Sequence, residues 1–437
     1  MARVRMTSLY SNLETWTGLL FEADASTAVT TATATSFVLT HGGDSDFEGF
    51  TVSFTGTGFT YDSGIVTDGT IASIVVRNSL GEVILTIDQL TGLSSDLSQI
   101  VSDVFGSFDG ESGPGPSGKV AWSHILVGND TIIGTSGDDR QLQGFMDGND
   151  SFSMGAGDDF VFAGSGRDTV NGGTGFDILS YNATAYNEGS SAYRGISVNL
   201  ANGTATDCWG FTDRFSGIEG IWGSRFNDQI TGSAGDNEFA GMRGRDTING
   251  GGGDDLVVYE DDHWDGGRLG IKVDLETSIS NGVVTGFAVD GFGQRDTLIN
   301  IEDVRGTRYD DLIIGSRFSN RLRGGDGDDT LAGGGGNDAF YWRGQDEIGD
   351  DDVVNGFATS GAGADVLQFR TDTFNNMTTD LVLVNGTAAT EAVGTFVFDA
   401  TTSTLYWDED GTGGTAQVKI AVLTGVTSLT AANFDLF

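Results

Sequence analysis

From residue 128 onward the chain carries a nine-residue beat, in which an apolar residue follows two places behind an aspartate. Ile132, Phe152, Val161, Val170 and Leu179 stand two residues after Asp130, Asp150, Asp159, Asp168 and Asp177. Glycine stands two before each of these aspartates, at Gly128, Gly148, Gly157, Gly166 and Gly175. Asp139 keeps the phase, but Gln141 fills its apolar slot and a two-residue slip follows. A second block carries Asp228, Asn237, Asp246 and Asp255 with Gly244 and Gly253; a third carries Asp311, Asn320, Asp329 and Asp338 with Gly327 and Gly336. One apolar position per nine residues, bracketed by turn formers, predicts very short strands joined by tight turns. Two nonapeptides make one coil, so residues 18 apart stack on one edge. Each coil adds about 4.8 Å of length. The predicted fold is all-β: parallel β-roll (β-solenoid) blocks between an N-terminal and a C-terminal β-rich domain.

The flanks read differently. In residues 1–108, Thr51 to Phe54, Phe59 to Tyr61, Ile71 to Val76 and Val83 to Ile87 are short β-branched or aromatic runs between turn residues. Leu97, Ile100, Val101, Val104 and Phe105 recur at helical spacing behind the cap candidates Ser94 and Ser95, which predicts one closing helix. Residues 109–119 (DGESGPGPSGK) hold both prolines and form the linker. The repeat region then spans 120–348 and a C-terminal domain 349–437. A longer repeat overlies the nonapeptides: residues 215–259 match 298–342 at an offset of 83, aligning Ile218-Glu219 with Ile301-Glu302 and Tyr259 with Trp342. The segments ahead of each copy also agree, Gly195 to Leu200 with Gly270 to Leu275. A whole unit has been duplicated.

Charge narrows the partners. With 63 acidic and 22 basic residues the formal net charge is −41, and only Lys119, Lys272 and Lys419 are lysines. Nucleic acid and anionic membrane surfaces reward clustered cations and are excluded as partners. Such a chain calls instead for bound cations. Gly is 69 of 437 residues while Pro is only 2, a pattern of tight turns rather than of a disordered linker. The lone Cys208 excludes an intramolecular disulfide framework. The first 22 residues lack the apolar core of a signal peptide, and no 18-residue apolar stretch occurs. Membrane insertion is not expected, and either the protein stays inside the cell or its export signal lies away from the N-terminus.

The unit G-G-x-G-x-D-x-U-x, seen in Gly324 to Ala332, is a recognised signature of calcium-binding parallel β-helices. Its chemistry follows from its residues. Glycines let the turn curl its carbonyls inward, and the aspartate adds a hard carboxylate oxygen for an ion that takes six to eight. The expected ligands are Asp130 and the stacked pairs Asp150/Asp168, Asp159/Asp177, Asp228/Asp246, Asn237/Asp255, Asp311/Asp329 and Asn320/Asp338. The turn residues Gly157, Gly166, Gly244, Gly253, Gly327 and Gly336 join them, holding several Ca2+ ions. With so thin a core, ion binding and folding are expected to be one event.

These residues resemble the repeats-in-toxin (RTX) family of type I secreted, hemolysin-type calcium-binding proteins. The tail is similar to the family's secretion domain at Asp352 to Phe357, Gly363 to Phe369, Thr404 to Asp408 and Asn433 to Phe437. The resemblance implies export through a type I secretion channel directed by the C-terminal end, and an extracellular or cell-surface location. It also implies folding on emergence into calcium, at the roughly 10⁻⁴–10⁻³ M affinities of extracellular modules.

Catalytic marks are missing. A metalloprotease needs H-E-x-x-H, but His41, His124 and His263 precede Gly42, Ile125 and Trp264. No serine has the G-x-S-x-G flanks of a lipase. Asp44, Asp46 and Glu48 read as a solvated loop face, Asp261, Asp262, His263 and Asp265 as an exposed turn, and Asp408 to Gly411 as a hairpin turn. Trp209, Trp222, Trp264 and Trp342 read as coil-end packing. The expectation is a non-enzymatic surface-layer, matrix or adhesion component that self-assembles or meets a cell-surface glycan. The alternative is a secreted effector or enzyme with an unfamiliar site in 1–108.

Overall fold

A computed structural model describes residues 148–182 and 192–437, short pieces at 129, 131–134 and 136–139, and the backbone of strands within residues 3–88. The expected helix at 97–105, the linker, Asp130 and the acidic run Asp44 to Glu48 lie outside the described residues. Near the N-terminus, strands Ala28–Thr33, Ser36–Thr40, Thr51–Asp62, Ile65–Arg77 and Val83–Asp88 pair antiparallel in chain order. Among the described residues no helix is long and apolar enough to cross a membrane.

The chain forms two compact units, residues 1–194 with 202–221, and residues 195–201 with 222–437. In the first, Ser151–Ala156, Thr169–Thr174 and Thr212–Ser216 stack as parallel rungs, with Phe152, Val170 and Phe215 in register. On the opposite face Phe160–Phe162 and Ile178–Ser180 pair in parallel and align Val161 with Leu179. The nine-residue period explains both faces: each nonapeptide has room for one short strand, and the residue two after its aspartate is the one turned inward.

The second unit repeats this plan at greater length. One ladder runs through Glu238–Ala240, Leu256–Val258, Asp303–Arg305, Arg321–Arg323, Ala339–Trp342, Val366–Phe369 and Phe434–Leu436. It stacks Phe239, Val257, Val304, Leu322, Phe340 and Leu367, none more than 1 % exposed. On the other face Gln229–Thr231, Thr247–Asn249 and Arg295–Ile299 pair in parallel. A hairpin strand, Val283–Val289, links that run antiparallel to Lys272–Ser280, from which Leu312–Ile314, Thr330–Ala332, Val353–Asn355 and Val418–Thr424 continue in parallel. Both ladders cross position 349 without a break. Phe369, Phe396, Trp407 and Phe434 then close the C-terminal end as an aromatic cluster, with ring centroids 4.8–6.4 Å apart. Each fully buried rung side chain contributes about 1.5–3 kcal/mol, and there is only one layer of them per face.

Candidate metal centres

The aspartates of the repeats form ladders of their own. Described members from Asp139 to Asp338 are at most 3 % exposed. Their Oδ1 atoms accept the backbone N–H of the residue 18 places earlier: Asp168 from Asp150 (2.7 Å), Asp177 from Asp159 (2.9 Å) and Asp246 from Asp228 (2.8 Å). Asp255 accepts likewise from Asn237 (2.9 Å), Asp329 from Asp311 (2.8 Å) and Asp338 from Asn320 (3.0 Å). All six pairs drawn from the 18-residue stacking are therefore neighbouring rungs.

The second carboxylate oxygen divides the turns into two kinds. In the open kind, Oδ2 of Asp159, Asp168, Asp177, Asp246, Asp255 and Asp329 is buried and accepts no hydrogen bond. In the closed kind a serine or threonine four residues earlier satisfies the side chain. Ser224 donates its N–H to Asp228 Oδ2 (2.6 Å) and its hydroxyl to Oδ1 (2.7 Å), and Thr307 does the same to Asp311 (2.6 and 2.9 Å). The N–H groups of Ser233 and Ser316 likewise reach Asn237 Oδ1 (2.7 Å) and Asn320 Oδ1 (2.6 Å). Backbone geometry accounts for the split. Four residues before each open aspartate stands a left-handed residue: Gly155, Gly164, Gly173, Met242, Gly251 or Gly325, with φ from +61° to +119°. Met242 adopts this conformation without being glycine, a strain of about 1–3 kcal/mol held in place at the turn.

The predicted glycines lie in these turns. Gly157, Gly166, Gly253, Gly327 and Gly336 have φ between +104° and +145°. Gly244 does not share the left-handed conformation; it is needed for room, because a methyl there would overlap the Phe226 carbonyl and Asp246 Oδ1. The glycine five residues before an aspartate leaves an oxygen-lined hollow. A methyl on Gly250 would overlap Asp255 Oδ2 and the Asn300 carbonyl, and one on Gly172 would overlap Asp177 Oδ2 and the Gly217 carbonyl.

Where the nonapeptides stop, other acids continue the ladder. Asp213 accepts the Asp168 N–H, Asp296 the Asp246 N–H and Asp352 the Asp329 N–H, each at 3.0 Å. On the other edge Glu219 serves Asp177 (3.0 Å), Glu302 serves Asp255 (3.1 Å) and Asp365 serves Asp338 (2.9 Å). An aromatic donor then closes the first set: Tyr181 hydroxyl to Asp213 Oδ2 (3.0 Å), Tyr259 hydroxyl to Asp296 Oδ2 (3.2 Å) and Trp342 Nε1 to Asp352 Oδ2 (3.2 Å).

Burial dominates the electrostatics of the rows, and neighbouring carboxylates add to it. Asp168 and Asp329 are pushed up to about 9 and Asp246 to about 10. Asp159 and Asp255 rise to about 7 for the same reasons. Oxygens this buried need a cation or a proton.

The family model of the RTX calcium-binding nonapeptide repeat matches residues 126–140, 146–179, 221–258 and 305–340. These blocks are RTX repeats. Comparison with curated proteins returns no match.

RTX repeats bind calcium at several sites, and the residues present suit it. The donors are all oxygen, the preference of a hard cation. Among the described residues no group of three or more Asp, Glu, His or Cys side chains is placed to hold an ion, and the further oxygen donors at hand are turn carbonyls such as Asn300 near Asp255 Oδ2 and Gly217 near Asp177 Oδ2. The side chains of the Asp261 to Asp265 turn take separate partners. Asp262 turns inward to accept the Gly291 N–H (2.9 Å), His263 Nδ1 lies 2.8 Å from the Glu260 carbonyl, and Trp264 is 72 % exposed. Trp342 is buried against Phe369, with ring centroids 5.4 Å apart. Sequence reasoning missed the spacer acids and the Ser/Thr closures. Their signals were the 83-residue offset, which relates Asp213 to Asp296 and Glu219 to Glu302, and the residue four before each aspartate.

Proposed function

We propose that this chain is exported through a type I channel and folds on calcium outside the cell, as a non-enzymatic surface-layer, matrix or adhesion component. The observation that carries the reading is the set of buried carboxylate oxygens without donors. Without cations these rows repel; with them they bridge consecutive coils. The ions belong at the open turns, at Asp159, Asp168, Asp177, Asp246, Asp255 and Asp329, while Asp228, Asn237, Asp311 and Asn320 close their turns through protein donors. The duplicated spacer-plus-repeat unit supports a scaffold role, since duplication lengthens the roll and multiplies one surface.

Light scattering coupled to size exclusion tests this. The expected result is an expanded chain in chelator and a compact one in millimolar calcium, which associates through its own surface as concentration rises. A chain already compact in chelator would remove the coupled folding, and a strictly monomeric compact form would remove the surface-layer role. Asp246→Asn should lower the calcium bound in equilibrium dialysis by about one ion, whereas Asp228→Asn should leave the count unchanged. Equal losses would sink the division into open and closed turns.

A further inference from the structure

Three times the chain ends an edge of open turns in the same way. The last open aspartate, Asp168, Asp246 or Asp329, is followed by a spacer that brings two acids. One takes the rung position and is closed by an aromatic donor: Asp213 by Tyr181, Asp296 by Tyr259, Asp352 by Trp342. The other faces the glycine two residues before that last open aspartate. Gly166 donates its N–H to Asp207 Oδ2 at 3.3 Å, and Gly327 donates to Asp350 Oδ2 at 3.2 Å. The Gly244 N–H interacts with the Asp290 carboxylate without a full hydrogen bond to its Oδ2. Asp207 and Asp290 are 0 % exposed, and each begins a tight turn whose N–H groups hold its Oδ1. Trp209 and Phe211 do so at 3.0 and 2.7 Å, and Phe292 and Gln294 at 3.1 and 2.5 Å. None of these acids falls within the matched RTX stretches.

We propose that Asp207, Asp290 and Asp350 each complete a terminal calcium site, together with the open Oδ2 of Asp168, Asp246 and Asp329 and with turn carbonyls. Inside a block the following coil supplies the next carboxylate. At the last coil no nonapeptide follows, and the rung acid's second oxygen is already taken by its aromatic donor. The open oxygens of Asp168, Asp246 and Asp329 belong to residues 1 % exposed and have no protein donor. Asp207 acts electrostatically on Asp168 and Asp290 on Asp246, while Asp350 reaches the Asp329 turn through the Gly327 N–H; a second carboxylate at such a turn makes it worse for a bare charge and better for a divalent cation. The aromatic closure thus ends one row of ions, and the second spacer acid completes its last site.

The inference rests on the open oxygens being calcium ligands, so the test includes Asp246→Asn beside Asp290→Asn and Asp350→Asn in the full chain. Asparagine keeps the acceptor for the turn N–H groups and removes the charge. Calcium bound is counted by equilibrium dialysis, and Tb3+ substituted for calcium reports its bound waters through luminescence lifetimes in H2O and D2O. Each spacer variant should lose about one ion or bind one at least tenfold more weakly, and its Tb3+ should gain water. If only Asp246→Asn changes the count, the spacer acids merely shape turns and the proposal fails. If Asp246→Asn changes nothing either, the ligand role of the open oxygens fails first. Asp350 is only half-buried, and near-ultraviolet circular dichroism in calcium verifies that its variant is folded.

Discussion

Stripped of calcium at pH 8, the repeat region should lose its ordered β signal, and acidification toward pH 5 should restore part of it. The sign follows from the raised carboxylates. Asp168 and Asp329 at about 9, Asp246 at about 10 and Asp296 at about 8 hold protons in the folded roll that an unfolded chain, near 3.8, releases. Burial is the main cause in each case. The native state therefore binds more protons across the window from about pH 4 to about 10. Its stability is fully present below the unfolded value and is lost as pH rises through the folded ones. Each such proton contributes a slope of about 1.4 kcal/mol per pH unit. Calcium does the same work as the protons at neutral pH, so in its presence acidification should instead weaken ion binding. Urea midpoints of calcium-stripped protein between pH 5 and 8, read by far-ultraviolet circular dichroism, check this. A midpoint that climbs with pH in calcium-free solution would overturn it.

Gly166→Ala should destabilise the calcium-loaded first unit by about 3 kcal/mol or more, combining a left-handed penalty of about 1–3 kcal/mol with overpacking of similar size. Gly166 has φ +145°, and a methyl there would overlap the Gly148 carbonyl of the adjoining coil. The neighbour is backbone, and the Gly148 N–H is itself tied to the Ser165 carbonyl at 2.9 Å, which limits how far it can move. Gly252 is the control: beyond its own chain neighbours no atom lies within 4 Å of its would-be Cβ, and Gly252→Ala should stay within about 0.5 kcal/mol of wild type. Denaturant midpoints in calcium separate the two. Equal midpoints would mean that coil spacing relaxes more freely than the packing indicates.

The coils were legible because their period is local. Asp150 and Asp168 share an edge simply because 18 residues make one turn of the roll, and Phe152 and Val170 follow them inward. The spacers broke that rule. Asp168 finds its next rung 45 residues on at Asp213, and Asp246 finds it 50 on at Asp296. No periodicity reaches across such loops. The closed turns were written in the sequence as Ser224, Ser233, Thr307 and Ser316, yet a carboxylate reads alike on paper whether its partner is an N–H or an ion. Met242 was hidden for a related reason: nothing in a methionine announces a left-handed backbone, and the turn imposes it.

The single file of side chains inside each ladder of the second unit has a mechanical consequence. Along each ladder a rung's backbone pairs with the rung before it and the rung after it, so the stack behaves as a one-dimensional array whose order spreads from neighbour to neighbour. Calcium concentration would then set how far the ordered stretch extends, rather than switching the whole stack at once. Tension along the axis would open such a stack rung by rung from an end, with calcium as the tuner of its resistance.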